Sequence, residues 1–387
     1  MKVLMADSLV GNDYSFCLCS GLNSAGIDVD LVVTEDRQVN TEAAFSLKFW
    51  APSKGQATGK VKKTGLYIKY LMDLLRYIRK NDIKVVHFQF FRRERIEVLF
   101  YVLLRMLGVK VVFTAHDIFP HNRRKIDYPL RSLVYRASQG IIAHSEHIKK
   151  KLKEEFDVND EKIFVIPHGD FDYYLPETPV PQSMARKTLG LKKEDQVVLF
   201  FGFIKEYKGL DLLLDAFETA AAENPRLKLV IAGMPESEQL QSQYEARIQQ
   251  MDAGNRVIAH FKFVENEMIP VYFSASDAVA LPYKNIYHSG IVHLAYSFAK
   301  PLIATKVGDF EECIEEGKSG FLLNQNTAEQ FADKLMEAFS NPAKLSEMGE
   351  YARHLNETKY SWKNAALLTK MMYEALDPPN KIYSNIA

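Results

Sequence analysis

Residues 278–305 read AVALPYKNIYHSGIVHLAYSFAKPLIAT. An unbroken apolar run, AVAL, stops at Pro282. A polar loop follows, Ser289 and Gly290 open a helical pattern, and a second apolar run, LIA, occupies 302–304. Apolar runs this short and continuous predict strands buried on both faces, which belong to parallel sheets. Two parallel strands need a crossover between them, and the helical pattern supplies it.

The same alternation extends both ways. Downstream of residue 196, strands are predicted at 197–201, 227–232, 257–260, 278–281, 302–304 and 321–323, with helices starting near Lys208, Glu236, Glu267, Gly290, Phe310 and Thr327. Upstream, strands are predicted at 3–6, 30–33, 85–88, 111–114, 140–143 and 164–166, with Asp13 as a helix cap and Gly26 as a helix stop. Between the two series, PETPVPQ at 176–182 holds three prolines and reads as a linker. After the second series, residues 362–376 form one more amphipathic helix. The fold class is therefore α/β, with two Rossmann-like doubly wound domains, and with ligands expected beyond the carboxyl ends of the strands in a cleft that the domains face. The expected domains are 1–176 and 177–360, with 361–387 a C-terminal helix packing back on the first.

Composition agrees with a globular protein. Of 387 residues, 47% are hydrophobic and 25% charged. No apolar run approaches the ~18–20 residues that cross a bilayer. MKVLMADS enters a strand at once, so no signal peptide is expected. Cys17, Cys19 and Cys313 have no metal-site spacing and make a poor disulfide framework, which fits a reducing cytoplasm. Net charge is zero, yet residues 51–150 carry 21 Lys and Arg against 7 Asp and Glu. A basic first half suggests an anionic partner: a membrane surface, a phosphorylated acceptor or nucleic acid.

Several strand ends carry candidate chemistry. The backbone N–H groups of Gly290, Ile291 and Val292, with the helix dipole behind them, suit a diphosphate; an ordinary Ser N-cap at Ser289 explains the same residues. GFIKEYKG at 202–209 puts Lys205 and Lys208 at the exit of the first strand of the second series. There they neutralise a leaving diphosphate without a metal, or are two solvated lysines. In VGDFEECIEEGKSG at 307–320, Glu312 points at a hydroxyl-bearing ligand or lies on an acidic helix face. His116 ends a strand of the first series and is placed for sugar contact or proton transfer, or for a local backbone bond; His168 is a weaker case of the same kind. Gly11 lies in a turn after the first strand that suits phosphate approach. G-x-G-x-x-G, Walker-type and G-x-S-x-G motifs are absent. KVKKTGLYIKYLMDLLRYIRK at 60–80 sets Tyr67, Tyr70 and Tyr77 among cations. It reads either as a membrane-surface helix or as a helix packed on the sheet, and Arg92, Arg93, Arg95 and residues 123–125 extend its charge.

In order, FFGFIKEYKGLDLLLDAF, LKLVIAG, HFKFVENEMIPVYFSASDAVALPY and SGIVHLAYSFAKPLIATKVGDFEECIEEGKSGFLL resemble glycosyltransferase family 4 on the GT-B fold. VVFTAHDIFPH, GIIAHSEHIKKKL and VIPHG resemble its first domain. The resemblance implies a first, acceptor-side domain and a second, donor-binding one. The implied reaction moves a hexose from a nucleoside diphosphate sugar, GDP- or UDP-linked, with retention, no metal and no other cofactor. It assigns Lys208 and Lys205 to the donor diphosphate, His116 to the donor sugar, Gly11 to the glycine loop, Phe263 and Val264 to the nucleobase border, and Gly308 and Glu312 to the following Gly and Glu. Family members carry two glutamates eight positions apart; here Tyr287 and Ala295 stand there. The chain resembles a subgroup without those glutamates, linked to exopolysaccharide, capsule or lipopolysaccharide assembly. The implied partners are a sugar nucleotide, a glycan or lipid-linked acceptor and an anionic membrane met through 60–80, not nucleic acid. The implied place is the cytoplasm, at the inner face of the cell membrane. A sugar-nucleotide epimerase, a phosphorylase or a non-catalytic binding protein on the same fold are the alternatives.

Overall fold

The computed structural model describes residues 1–7, 13–34, 43–52, 59–90, 94–119 and 127–378. They divide into two compact units, 1–169 with the segment from Ser361 onward, and 170–360.

The first unit holds a seven-stranded parallel sheet: β1 Lys2–Ala6, β2 Asp28–Thr34, β3 Ser46–Ala51, β4 Val85–Phe88, β5 Lys110–Thr114, β6 Gly140–Ala143 and β7 Ile163–Val165. The strand order is β3-β2-β1-β4-β5-β6-β7. The crossover helices are α1 Asp13–Ser24, α2 Lys60–Lys80, α3 Glu94–Met106, α4 Asp127–Ala137 and α5 Glu146–Phe156. Residues of β1, β4 and β6 are almost wholly buried, as their continuous apolar runs require. The sequence pattern misses β3, SLKFWA. It is an edge strand, half exposed along most of its length, and only its pairing with β2 makes it a strand.

The second unit holds a six-stranded parallel sheet of β8 Gln196–Phe201, β9 Leu227–Ala232, β10 Val257–His260, β11 Ala278–Leu281, β12 Leu302–Ala304 and β13 Gly320–Leu322. The order is β10-β9-β8-β11-β12-β13, so the direction of winding reverses between β8 and β11. Its helices are α6 Gln182–Thr188, α7 Leu210–Glu223, α8 Glu238–Gln250, α9 Ile269–Ala275, α10 Gly290–Ser297, α11 Phe310–Cys313, α12 Ala328–Ser340 and α13 Pro342–Thr358. α7 and α12 pack together over one face of the sheet.

The boundary at 176/177 needs correction. Asp172 already accepts two bonds from Arg353, at 2.8 and 2.9 Å, and the Phe171 N–H donates to Ser297 Oγ at 3.1 Å. The chain therefore changes units at Gly169/Asp170. The proline-rich stretch runs within the second unit, and Pro181 stands at the N-cap of α6.

The last helix, α14 Trp362–Leu376, belongs to the first unit and packs along α1. A Cβ on Gly21 would meet Ala366 Cβ at 2.8 Å, and one on Gly169 would lie 2.2 Å from the Trp362 ring, so both glycines are needed for this approach. Of the two readings of α2, its tyrosines follow the packed one. Tyr67 and Tyr70 are buried, Tyr67 donates to Glu97 of α3, and Tyr77 donates to Asp30 of β2 at 2.8 Å. They form the inward face of a helix packed on the protein, and its cations lie outside.

Candidate functional site

In the second unit, the loops leaving β8 and β11 flank the point where the winding reverses, the position at which open α/β sheets bind ligands. They are locked together. Gly209 sits at φ +68°, and a Cβ there would come within 1.9 Å of Pro282 O; the Lys284 N–H donates to Tyr207 O at 2.7 Å. This lock holds Lys208 inward, with 9% of its surface exposed. Its ammonium stands 5.4 Å from the Tyr283 ring centroid, and among the described residues no carboxylate pairs with it. Burial pushes its pKa down to about 8. A β-carbon on Gly202 would lie 3.2 Å from Lys208 Nζ and 3.4 Å from Ile291 Cδ1, so Gly202 leaves a bare floor between the cation and the first turn of α10.

Ser289 is the N-cap residue of α10, yet its side chain caps nothing. The Val292 N–H donates to Ser289 O at 3.2 Å, so the expectation that it faces a ligand is corrected. Gly290 and Ile291 are the residues whose N–H groups remain for an anion at this helix start. Lys205 is half-exposed and lies 5.5 Å from the Phe203 ring centroid. Phe263 is largely exposed and Val264 half-buried, both in the loop after β10. Glu312 is half-buried in α11, and its backbone oxygen accepts from Lys359 and Tyr360.

A pair that sequence reasoning passed over holds the neighbouring loops. His288 Nδ1 lies 2.6 Å from Asp309 Oδ2; Asp309 is fully buried and His288 half-buried. Gly308, at φ +59°, lets the Ile286 carbonyl approach where a Cβ would be 2.4 Å away. These contacts fix the β11 loop, and with it Ser289, against the β12 loop.

In the first unit, residues just beyond the carboxyl ends of β4, β5, β6 and β7 supply Gln89, His116, His144 and His168. Tyr14, near the start of α1, stands edge-on to His116 at 4.6 Å, and Phe90 stacks on that ring at 4.6 Å and 9°. Hydrogen bonds run through the group. His144 Nδ1–H donates to Ile166 O at 3.0 Å. His116 Nδ1 lies 3.3 Å from His144 Nε2, and His116 Nε2 lies 2.9 Å from Gln89 Oε1. Behind Gln89, His87 bridges Tyr373 Oη at 2.6 Å and Thr114 Oγ1 at 2.7 Å. Full burial drives the pKa of His87 down to about 3, so it is neutral at working pH.

A carbonyl oxygen only accepts, so Nδ1 carries the proton of a neutral His144 and His116 donates to its Nε2. With Gln89 Oε1 facing His116, both His116 nitrogens then carry protons. With the amide turned round, Gln89 donates to a bare His116 Nε2. The orientation of one amide thus bears on whether His116 Nε2 donates or accepts. Gly11 lies outside the described residues.

Two families of sequence match these two units. The one described as Glycosyl transferases group 1 matches residues 182–355, and the one described as Glycosyltransferase Family 4 matches residues 14–169. Together they take in most of the chain. The chain belongs to glycosyltransferase family 4. Among curated relatives of this family member is a D-inositol 3-phosphate glycosyltransferase of Corynebacterium urealyticum. It is 26% identical over 240 residues, 61% of this chain and 56% of the relative's length. Among solved structures is sucrose-phosphate synthase from Thermosynechococcus elongatus, with a TM-score of 0.76 and 18% identity, covering 97% of this chain and 99% of that one. Another is Anabaena HepE in complex with UDP, with a TM-score of 0.75 and 16% identity, covering 97% and 100%. Likeness at that identity shows the fold, which is GT-B.

This member departs from the family pattern at Tyr287 and Ala295. Ala295 is fully buried in α10 among the core of the second unit, and Tyr287 is half-buried in the β11 loop. Gln89, Tyr14, His144, His288 and Asp309 were all missed from the sequence. His144 alone gave a usable signal, as a histidine directly after a buried strand.

Proposed function

We propose that the chain transfers a hexose from a nucleoside diphosphate sugar to a glycan or lipid-linked acceptor, with retention and without a metal. One observation carries this: the buried Lys208 ammonium has no carboxylate partner among the described residues and sits across Gly202 from Ile291 in the first turn of α10. A buried cation is costly unless an anion neutralises it, and a diphosphate is the anion this shape takes. Lys205, half-exposed nearby, steadies the leaving diphosphate. Phe263 and Val264 border the base, and Glu312 faces the sugar or ribose. His116 is the candidate hydrogen-bond donor to a sugar, with Tyr14 and Phe90 packed against its ring. UDP is the favoured nucleotide, since a GT-B structure sharing this fold holds it; GDP is the competitor. The setting is assembly of an exopolysaccharide, capsule or lipopolysaccharide at the inner face of the cell membrane.

Melting of the protein with UDP, GDP and ADP tests the cradle, since a ligand that binds only the folded state raises the midpoint. One diphosphate is expected to do so, with release of that nucleotide from its sugar conjugate once acceptor is present. No shift with any of the three refutes the site. A shift with no release under any acceptor makes the chain a binding protein. Release of a 2-epimerised sugar without acceptor makes it an epimerase.

A further inference from the structure

Helices α1 and α14 meet where Gly21 lies against Ala366, and a groove of about 520 Å³ runs along the solvent side of that contact. Its walls are mostly apolar: Phe16, Cys17 and Ala25 from α1, and Trp362 and Leu367 from α14. The Ser24 hydroxyl is turned onto its own helix, donating to Ser20 O at 2.9 Å. At one end of the groove Lys370 Nζ donates to Ala25 O at 2.8 Å, tying α14 to the end of α1. A concave, apolar hollow of this size between two helices is the form that small-ligand sites take.

Position and charge say which ligand. At the other end stands Trp362, whose ring lies 5.1 Å from Tyr14 and 5.5 Å from His168, and Tyr14 in turn lies against His116. The groove therefore begins at the cluster of rings beyond the strand ends. At that same end Lys363 is exposed and has no carboxylate partner among the described residues, and the first turn of α14 adds the positive end of its dipole. At 1.5 Å per residue, the α1 wall from Phe16 to Ala25 is about 14 Å long. The shape takes an alkyl chain lengthwise, with an anionic group at the Trp362 end. A second copy of this chain is a poorer match. One groove, with Leu367 and Met371 exposed along α14, is small against the roughly 800 Å² per partner that a stable pair buries.

We propose that the groove between α1 and α14 takes the hydrocarbon chain of a phosphate-linked acceptor, with the phosphate beside Lys363. The proposal rests on the transferase reading and decides it toward a lipid-linked acceptor rather than a free glycan. A single chain is drawn into the protein between two helices; no bilayer surface is involved, and neither is α2 or α3.

Cys17 reports on the groove, because it is half-buried there while Cys19 and Cys313 are buried. Maleimide labelling of the full chain, followed by mass spectrometry, is expected to modify Cys17. Dodecyl phosphate below its micellar concentration is expected to slow that labelling at least about tenfold. Inorganic phosphate is expected to give no protection, and dodecyl maltoside less than dodecyl phosphate, since it lacks the anion. Ser20→Phe fills the groove from a half-buried position and is expected to weaken dodecyl phosphate binding, read by calorimetry, at least about tenfold. Lys363→Glu reverses the charge at the mouth and is expected to cost about fivefold. Melting points and UDP affinity of both variants are expected to match wild type. No protection of Cys17 by dodecyl phosphate overturns the proposal, as does undiminished binding to Ser20→Phe. Equal protection by dodecyl maltoside overturns the phosphate-linked acceptor. Each of these outcomes leaves the donor reading standing, because UDP binding is measured apart from them. Failure of the wild type to bind any nucleoside diphosphate, with Cys17 still protected, refutes the transferase and not the groove.

Discussion

Replacing Lys208 by Met is expected to stabilise the free protein while weakening donor binding. Burial holds this ammonium at a pKa of about 8, against 10.5 for an ordinary lysine. The unfolded chain therefore binds one more proton than the folded one between those values, so stability rises with pH across that window. Below pH 8 the full penalty applies: at 1.36 kcal/mol per pKa unit it is about 3 kcal/mol. The contact with Tyr283 returns about 1 kcal/mol, leaving a net gain of about 2 kcal/mol for Lys208→Met at pH 7. For a unit of this size that raises the melting point by about 4–8 °C. Saturating UDP offsets the advantage, since the wild type regains a charge-assisted bond worth about 1.5–3 kcal/mol, some 10- to 100-fold in affinity. Calorimetry at pH 7 and 9 adds a check: nucleotide binding takes up a proton at pH 9 and not at pH 7. The reasoning fails if Lys208→Met lowers the melting point, or if UDP binds it as tightly as wild type.

His116→Ala is expected to cost roughly 10²-fold or more in turnover with the melting point little changed, measured as nucleotide release. Gln89→Leu removes the amide bonded to His116; the expected result is a shifted pH–rate profile with donor affinity kept, and an unchanged profile removes Gln89 from the mechanism. His87 has its folded pKa depressed to about 3, so the stability it contributes is present above pH 6.5 and is lost as pH falls toward 3, up to about 4–5 kcal/mol. His87→Gln should flatten that acid limb in pH-dependent melting. Gly209→Ala forces a left-handed residue to carry a Cβ against Pro282 O. It should cost at least about 1–2 kcal/mol and weaken UDP binding by displacing Lys208.

Much of the second unit was legible in the sequence. Buried parallel strands are continuous apolar runs, so the limits of β9, β11 and β12 fell where the runs did. α14 was legible from its amphipathic helical spacing, with Trp362 and Leu376 as its ends. Lys208 stood out because it follows such a strand between two glycines, and both glycines have positive φ. The edge strand β3 was not legible, because half-exposed edges lose the apolar run. The inward turn of Tyr67 and Tyr70 was not either, since tyrosine suits a buried helix face and an interfacial one alike.

By itself the sequence determined the class of fold, the order of strands along the chain and which loops leave their carboxyl ends, because each depends on neighbouring residues. Only the tertiary structure decided who meets whom across those ends. His87 reaches Tyr373, His116 lies between Gln89 and His144, and His288 meets Asp309. These pairings follow from the order of strands within the sheet and from the return of α14 to the first unit. Burial of Lys208 is of the same kind. Glycine at 209 permits the close approach to Pro282, but only that approach takes the ammonium out of water and leaves it in need of an anion.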